Sequence, residues 1–243
     1  MNIPVLTLGD HLSDIDDLEE AYEDVRHILP AKRGSILESN ILKASRGGDY
    51  ERGQFGPTKC PLSTWCSFST RDAMVARRPE IMSFPPYNRA VTFTIVAYLR
   101  TASFTDDFGL PTPQISSTFS PVYEADRYSL YRILDKNSNL PKGCMPYRAP
   151  GADIRVERYL PHDSSQAATF RAFDGVFDGR GGYLTDHLGQ PMPRIHPSML
   201  KVNDLVVYAT SVERYWLPQP DGYWNWVARL KLESITLLEH DCE

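Results

Sequence analysis

The stretch "NDLVVYATSVERYWLPQPDGYWNWVARLKLESITLL", Asn203 to Leu238, decides the fold class. Apolar and polar residues alternate on both sides of "LPQPDG". A period of two is that of a β-strand with one buried face. Two prolines and Asp221-Gly222 favour a turn, so the segment reads as a long β-hairpin. In its second strand Trp224, Trp226, Ala228, Leu230 and Leu232 share one face. Tyr223, Asn225, Val227, Arg229 and Lys231 share the other. Past Glu233 the apolar phase slips to Ile235 and Leu237. A slip of one residue predicts a β-bulge, the device by which a strand bends round a small barrel.

Working back from the hairpin, "RAVTFTIVAYLRTASF" (89–104) alternates in the same way. Val91, Phe93, Ile95, Ala97 and Leu99 form its apolar face, and Thr92, Thr94, Val96, Tyr98 and Arg100 the other. A second long strand is expected there. Prolines, serines and threonines between Thr105 and Pro121 predict a loop. Extended segments are expected around Tyr128–Leu134, Asp153–Leu160 and Ala168–Phe177. If "DRYSLYRIL" (126–134) is instead helical, Tyr128, Tyr131 and Arg132 share a face.

Charge is segregated towards the start of the chain. Asp10 to Asp24 holds eight acidic residues and no Lys or Arg. Ser13 as cap, apolar residues at helical spacing and Pro30 as terminator predict an acidic helix over 13–29. Its face is solvated, or mimics phosphate, or docks a protein partner. From Arg26 to Arg89 eleven basic residues face five acidic ones. Residues 31–61 read mostly as a basic loop, and "STRDAMVARRPEIM" (69–82) as a short helix. Two parts follow: residues 1–86, an acidic helix with a basic linker packed as an extension, and 87–243, the β domain.

Composition sets the limits. A net charge of −5, with 42% hydrophobic and 23% charged residues, fits a globular protein and argues against a simple basic nucleic-acid binder. No apolar run approaches the length of a membrane span, and the N-terminus lacks the features of a secretory signal. Cys60, Cys66, Cys144 and Cys242 are irregularly spaced, which favours reduced thiols and an intracellular location, cytoplasmic or nuclear.

None of the phosphate-loop, dinucleotide, zinc-protease or serine-nucleophile patterns is present in the sequence. No cofactor is expected. "FDGVFDGRGGYLTDHLGQP" comes closest to a site, with Asp174, Asp178 and His187 as metal-ligating candidates. Asp-Gly pairs are turn formers first, so tight turns are the simpler reading.

One set of residues joins rings to cations: Tyr98, Arg100, Tyr208, Arg214, Trp216, Tyr223, Arg229 and Lys231. Parity places them away from Trp224 and Trp226. On a solvated face the rings would stack bases and the cations meet phosphates. The segment from Leu200 to Leu238 resembles the closing strands of oligonucleotide-binding (OB) barrels. There a polar-Asp-Leu-Val entry leads into a strand, a variable hairpin and a last strand ending in an apolar pair. It also looks like a group of fungal proteins with a similar ending. The resemblance implies a mainly β (α+β) fold, a small antiparallel barrel or sandwich whose outer face binds single strands. Non-enzymatic binding of single-stranded nucleic acid is therefore the expected function. The alternatives are a β-rich scaffold or coat subunit that uses the same rings as a homo-oligomeric interface, and an enzyme without a recognisable motif.

Overall fold

The computed structural model describes Leu37, Asn40, Ile41, Ala44 and residues 48–49, 53–60, 64–66, 80–84, 89–106, 109–139, 152–160, 172–182, 192–218 and 224–241. The acidic helix expected over 13–29, Tyr223 and His187 lie outside this set. In chain order the first strands are β1 (Gly48–Asp49), β2 (Gln54–Phe55), β3 (Thr64–Cys66), β4 (Glu80–Phe84) and β5 (Arg89–Ala90). A 3-10 turn, Pro57–Lys59, follows β2. Then come β6 (Thr92–Thr105), β7 (Pro111–Pro121), helix α1 (Glu124–Lys136) and β8 (Ile154–Tyr159). The chain finishes with β9 (Val176–Asp178), β10 (Leu205–Pro218) and β11 (Trp224–Glu239).

The fold is mainly β, and its sheet closes on itself. β6 pairs β7, β7 pairs β8, β11 pairs β10 and β10 returns to β6, all antiparallel. β8 meets β11 in parallel through Glu157 and Lys231. Shorter strands join this ring from outside. β2 runs parallel to the start of β6, β4 pairs the outer half of β10, and β9 runs beside the end of β11. Strands on both sides of residue 86 thus belong to one sheet.

Alternation explains the interior. Val91, Phe93, Ile95, Ala97 and Leu99 all enter the core, as their parity predicts. Leu230, Leu232, Ile235 and Leu237 join them from β11. The pairing steps from Ala209–Ser234 to Thr210–Leu232, so Glu233 is the extra residue of the expected bulge.

Four expectations are corrected. The stretch predicted as a loop after Thr105 contains β7, an eleven-residue strand. Its Ile115, Ser117 and Phe119 point inward. Pro111 and Pro121 occupy its ends, paired with Thr105 and Ala97, where a missing N–H costs least. Second, the segment around Tyr128–Leu134 is helical, within α1. Asp126, Leu130, Ile133 and Leu134 form its buried stripe at helical spacing. Third, the helix expected over 69–82 ends in strand: Glu80–Phe84 is β4. In the basic segment Leu37, Asn40, Ile41 and Ala44 are helical rather than loop. Among the described residues no helix is long and apolar enough to cross a membrane.

A tight turn delivers the chain into β10. Asn203 has φ 69°, a left-handed conformation that Asn tolerates. Its amide bonds the Leu99 carbonyl at 2.7 Å, and the Leu99 amide bonds the Asp204 carbonyl at 2.9 Å. The Asp204 carboxylate is fully buried. It accepts from the Lys201 amide at 2.7 Å, the Asp241 amide at 3.2 Å and the His240 ring at 3.1 Å. Asp204→Ala would leave these donors unmet. It is expected to lower unfolding stability by about 3 kcal/mol, read as a shift in urea midpoint with unchanged slope.

Candidate functional site

The ring has two outer sides of opposite character. On one, Val96, Leu205, Val207 and Leu238 make an apolar patch that Ile41 and Ala44 cover, with Tyr98 packed at its edge. The Asn40 amide reaches the Gly179 carbonyl at 3.2 Å and ties this cover down. On the other side the ends of β6, β7, β8, β11 and β10 present a polar surface.

Pairing builds that surface in rows, because residues directly opposite in a sheet share a face. Gln114 lies opposite Tyr159, Ser116 opposite Glu157, and Thr118 opposite Arg155. Across the next pair Thr101 faces Thr118 and Ser103 faces Ser116. On the far side Lys231 faces Glu157, Arg229 faces Glu213, and Tyr215 faces Val227. Tyr159 is 57% exposed.

Charge on this face is internally balanced. Arg229 lies 3.0 Å from Glu213 and 3.7 Å from Glu157. Lys231 lies 3.1 Å from Glu233 and 3.7 Å from Glu213. Arg155 lies 2.8 Å from Glu157. Arg229 also sits between two rings, 5.0 Å from the centre of Tyr159 and 4.9 Å from that of Tyr215. Cation–π contact holds the guanidinium and both rings in one ladder.

The structure therefore divides the residues expected to bind. Arg229 and Lys231 stand on the open face. Tyr208 does not: it is fully buried in the core. Its ring stacks on Phe119 at 4.3 Å, and its hydroxyl lies 2.6 Å from Ser117 Oγ. Arg214 also belongs to the other face. It pairs with Glu80 at 2.6 Å and lies 4.3 Å above the Trp226 ring. Trp216 pairs with Trp226 in the backbone ladder. Trp226 is half-buried. Arg100, at the bulge where β6 steps from Leu99 to Thr101, bonds Asn203 Oδ1 at 2.6 Å and approaches Asp153 at 3.8 Å.

The error in parity has one physical source. The face of one hairpin strand relative to the other depends on the register across the turn, which alternation within each strand does not contain. Tyr159, Tyr215, Arg155 and the hydroxyl rows were missed for a simpler reason. "IRVERY" does alternate, with Ile154 and Val156 buried, so Arg155, Glu157 and Tyr159 were identifiable as its outer face.

The metal candidates have other partners. Asp174 pairs with Arg194 at 3.0 Å, and Asp178 with Arg180 at 2.6 Å. The Arg180 hydrogen bond holds the Asp178 carboxyl below the ordinary carboxylate range. A side chain on Gly179 would meet Thr236 at 2.6 Å, so this Asp-Gly pair serves close packing of β9 on β11. Among the described residues no group of three His, Cys, Asp or Glu side chains is placed to hold a metal.

No family model matches this chain, and no curated protein or solved structure is similar to it.

Proposed function

We propose that the chain binds single-stranded nucleic acid without catalysis, on the open face centred on Tyr159 and Arg229. One observation carries the reading: an exposed ring, Tyr159 at the end of β8, backed by the Arg229 guanidinium and flanked by polar residues of the paired strand. Bases of any sequence stack on such a ring. The strand order supports it. Numbered along the ring, β6, β7, β8, β10 and β11 follow the one-two-three-five-four closure of an OB barrel. In that fold the second and third strands carry the ligand, and here they are β7 and β8. The helix sits between those two strands, a departure from the usual OB placement before the fourth. An intracellular location, cytoplasmic or nuclear, goes with this function.

The balanced charges set the form of the binding. Arg155, Arg229 and Lys231 each already have a glutamate neighbour, so they neutralise few phosphates. Stacking then supplies most of the affinity and salt dependence is shallow, with a slope near −1 where each phosphate contact contributes about −0.7. Tyr159→Ala is expected to weaken binding of a pyrimidine dodecamer by about 1–3 kcal/mol, roughly 5- to 150-fold. Glu157→Gln releases Arg155 and should strengthen binding while steepening the slope by about 0.7. Tryptophan fluorescence titrations at two ionic strengths read both. A dodecamer that does not bind, or binds both variants as it binds wild type, overturns the reading.

A second reading draws on the same balance. Alternating Arg, Lys and Glu rows around an exposed tyrosine also suit a self-complementary contact between two copies. Sedimentation across a hundredfold range of concentration would reveal it as a rise in mass that Tyr159→Ala abolishes.

A further inference from the structure

We infer that the open face selects RNA over DNA, by hydrogen bonding to ribose 2′-hydroxyls along β7; this deepens the nucleic-acid reading and rests on it. Beside the stacking ring the surface is built from uncharged donors and acceptors. Gln114, Ser116 and Thr118 recur at every second position of β7, next to Tyr159, Glu157 and Arg155 of β8. Ser103 and Thr101 of β6 extend the rows. Thr101 and Ser103 are exposed, and Gln114, Ser116 and Thr118 are half-exposed.

The chemistry of this strip suits a sugar better than a phosphate. Thr101 Oγ1 and Thr118 Oγ1 lie 2.7 Å apart. One hydroxyl donates to the other, which leaves the acceptor's own proton and a lone pair for a ligand. The pair therefore offers a donor and an acceptor together. A 2′-hydroxyl is also both, and it is the group by which a protein tells RNA from DNA. The outward residues of β7 themselves, Thr112, Gln114, Ser116, Thr118 and Ser120, carry no charge to meet a phosphate. A step of two residues along β7 spans ~6.7 Å, room for one sugar of an extended strand per hydroxyl.

The geometry fixes where the strand runs. A base stacked on Tyr159 sets its sugar against Gln114, the residue opposite in the ladder. The next sugars then follow Ser116 and Thr118 along β7.

The test compares twelve-residue oligonucleotides of uridine and deoxyuridine, which share every base and differ only at the 2′ position. Wild type should bind the ribose form about tenfold tighter, the equivalent of one or two net hydrogen bonds. Ser116→Ala with Thr118→Val removes both hydroxyls while keeping shape, and should bring the ratio to about one by weakening only the ribose form. Thr118→Ser alone should keep the preference. Equal binding of both oligomers by wild type overturns this inference and leaves the nucleic-acid reading standing. Binding of neither overturns both. Equal weakening of both oligomers by the double variant overturns selection through these hydroxyls. Wild-type melting temperatures for both variants, expected for surface positions, assign any loss to contact and not to unfolding.

Discussion

Asp126→Asn is expected to flatten the fall in stability between pH 4 and pH 8. Asp126 begins the buried stripe of α1, at the third position of the helix. Burial pushes its carboxyl from 3.8 up to about 7. A helix N-terminus favours a carboxylate by about 0.3–1 kcal/mol. Removal from water outweighs that here. The adjacent Arg127 guanidinium is committed to Glu124 at 2.7 Å, Ser120 Oγ at 2.9 Å and the Ala152 carbonyl. The sign follows from proton uptake. Between the two values the folded chain holds a proton that the unfolded chain has released. Stability therefore drops as pH rises from about 4, and levels off once the folded carboxyl ionises near 7. The full span is on the order of 4 kcal/mol. The asparagine amide carries its own burial cost, but that cost does not vary with pH. Urea unfolding of both proteins at pH 4.5, 6 and 8 should give curves that diverge steadily, with the variant gaining at high pH. Parallel curves would mean that water reaches the carboxyl.

The closed ring was partly legible in the sequence because two of its strands obey a single rule. β6 alternates up to Leu99, before its bulge at Arg100, and β11 alternates up to Glu233 and again after it. The slip in apolar phase marked the bulge in β11, since a one-residue insertion inverts every later side chain. β7 was hidden by composition. Serine, threonine and proline are also loop residues, and only Ile115 and Phe119 carry an apolar signal there. The helix was hidden by tyrosine and arginine, which suit a strand as well as an amphipathic helix.

The site was less legible, because it belongs to pairing across strands. Arg229 and Lys231 were identifiable as outward residues of β11, but nothing in "WNWVARLKLE" announces Glu213 as their shared partner. That partnership requires register, and register across the β10–β11 turn comes from its backbone geometry. The consequence is chemical. A surface read as basic is neutral, and its ligand must be held by rings and hydroxyls more than by charge.

Tyr208 gives the sharpest contrast with Tyr159, since both are tyrosines on ring strands. Tyr208→Ala is expected to cost about 3–5 kcal/mol of unfolding stability, the range for deleting a large ring from a packed core. Its stacking on Phe119 at 4.3 Å means that the loss leaves Phe119 without a neighbour on one side. Tyr208→Phe isolates the hydroxyl. Ser117 Oγ has one proton and donates it to the Thr101 carbonyl at 2.7 Å, so Tyr208 must be the donor in the 2.6 Å contact with Ser117. Loss of that bond should cost about 1 kcal/mol, because Ser117 keeps its other partner. Burial also pushes the phenol well above its ordinary 10.0. Above pH 10 the unfolded chain loses this proton and the folded chain keeps it, which destabilises wild type but not Tyr208→Phe. Tyr159→Ala should move stability by less than about 0.5 kcal/mol, as for other surface positions. Denaturation at pH 7 together with oligonucleotide titration separates the two rings: one variant loses stability and keeps its affinity while folded, the other keeps stability and loses affinity. If Tyr208→Ala unfolds at the wild-type midpoint, the ring interior is not the core described here, and Tyr208 returns to the surface with its hydroxyl in water.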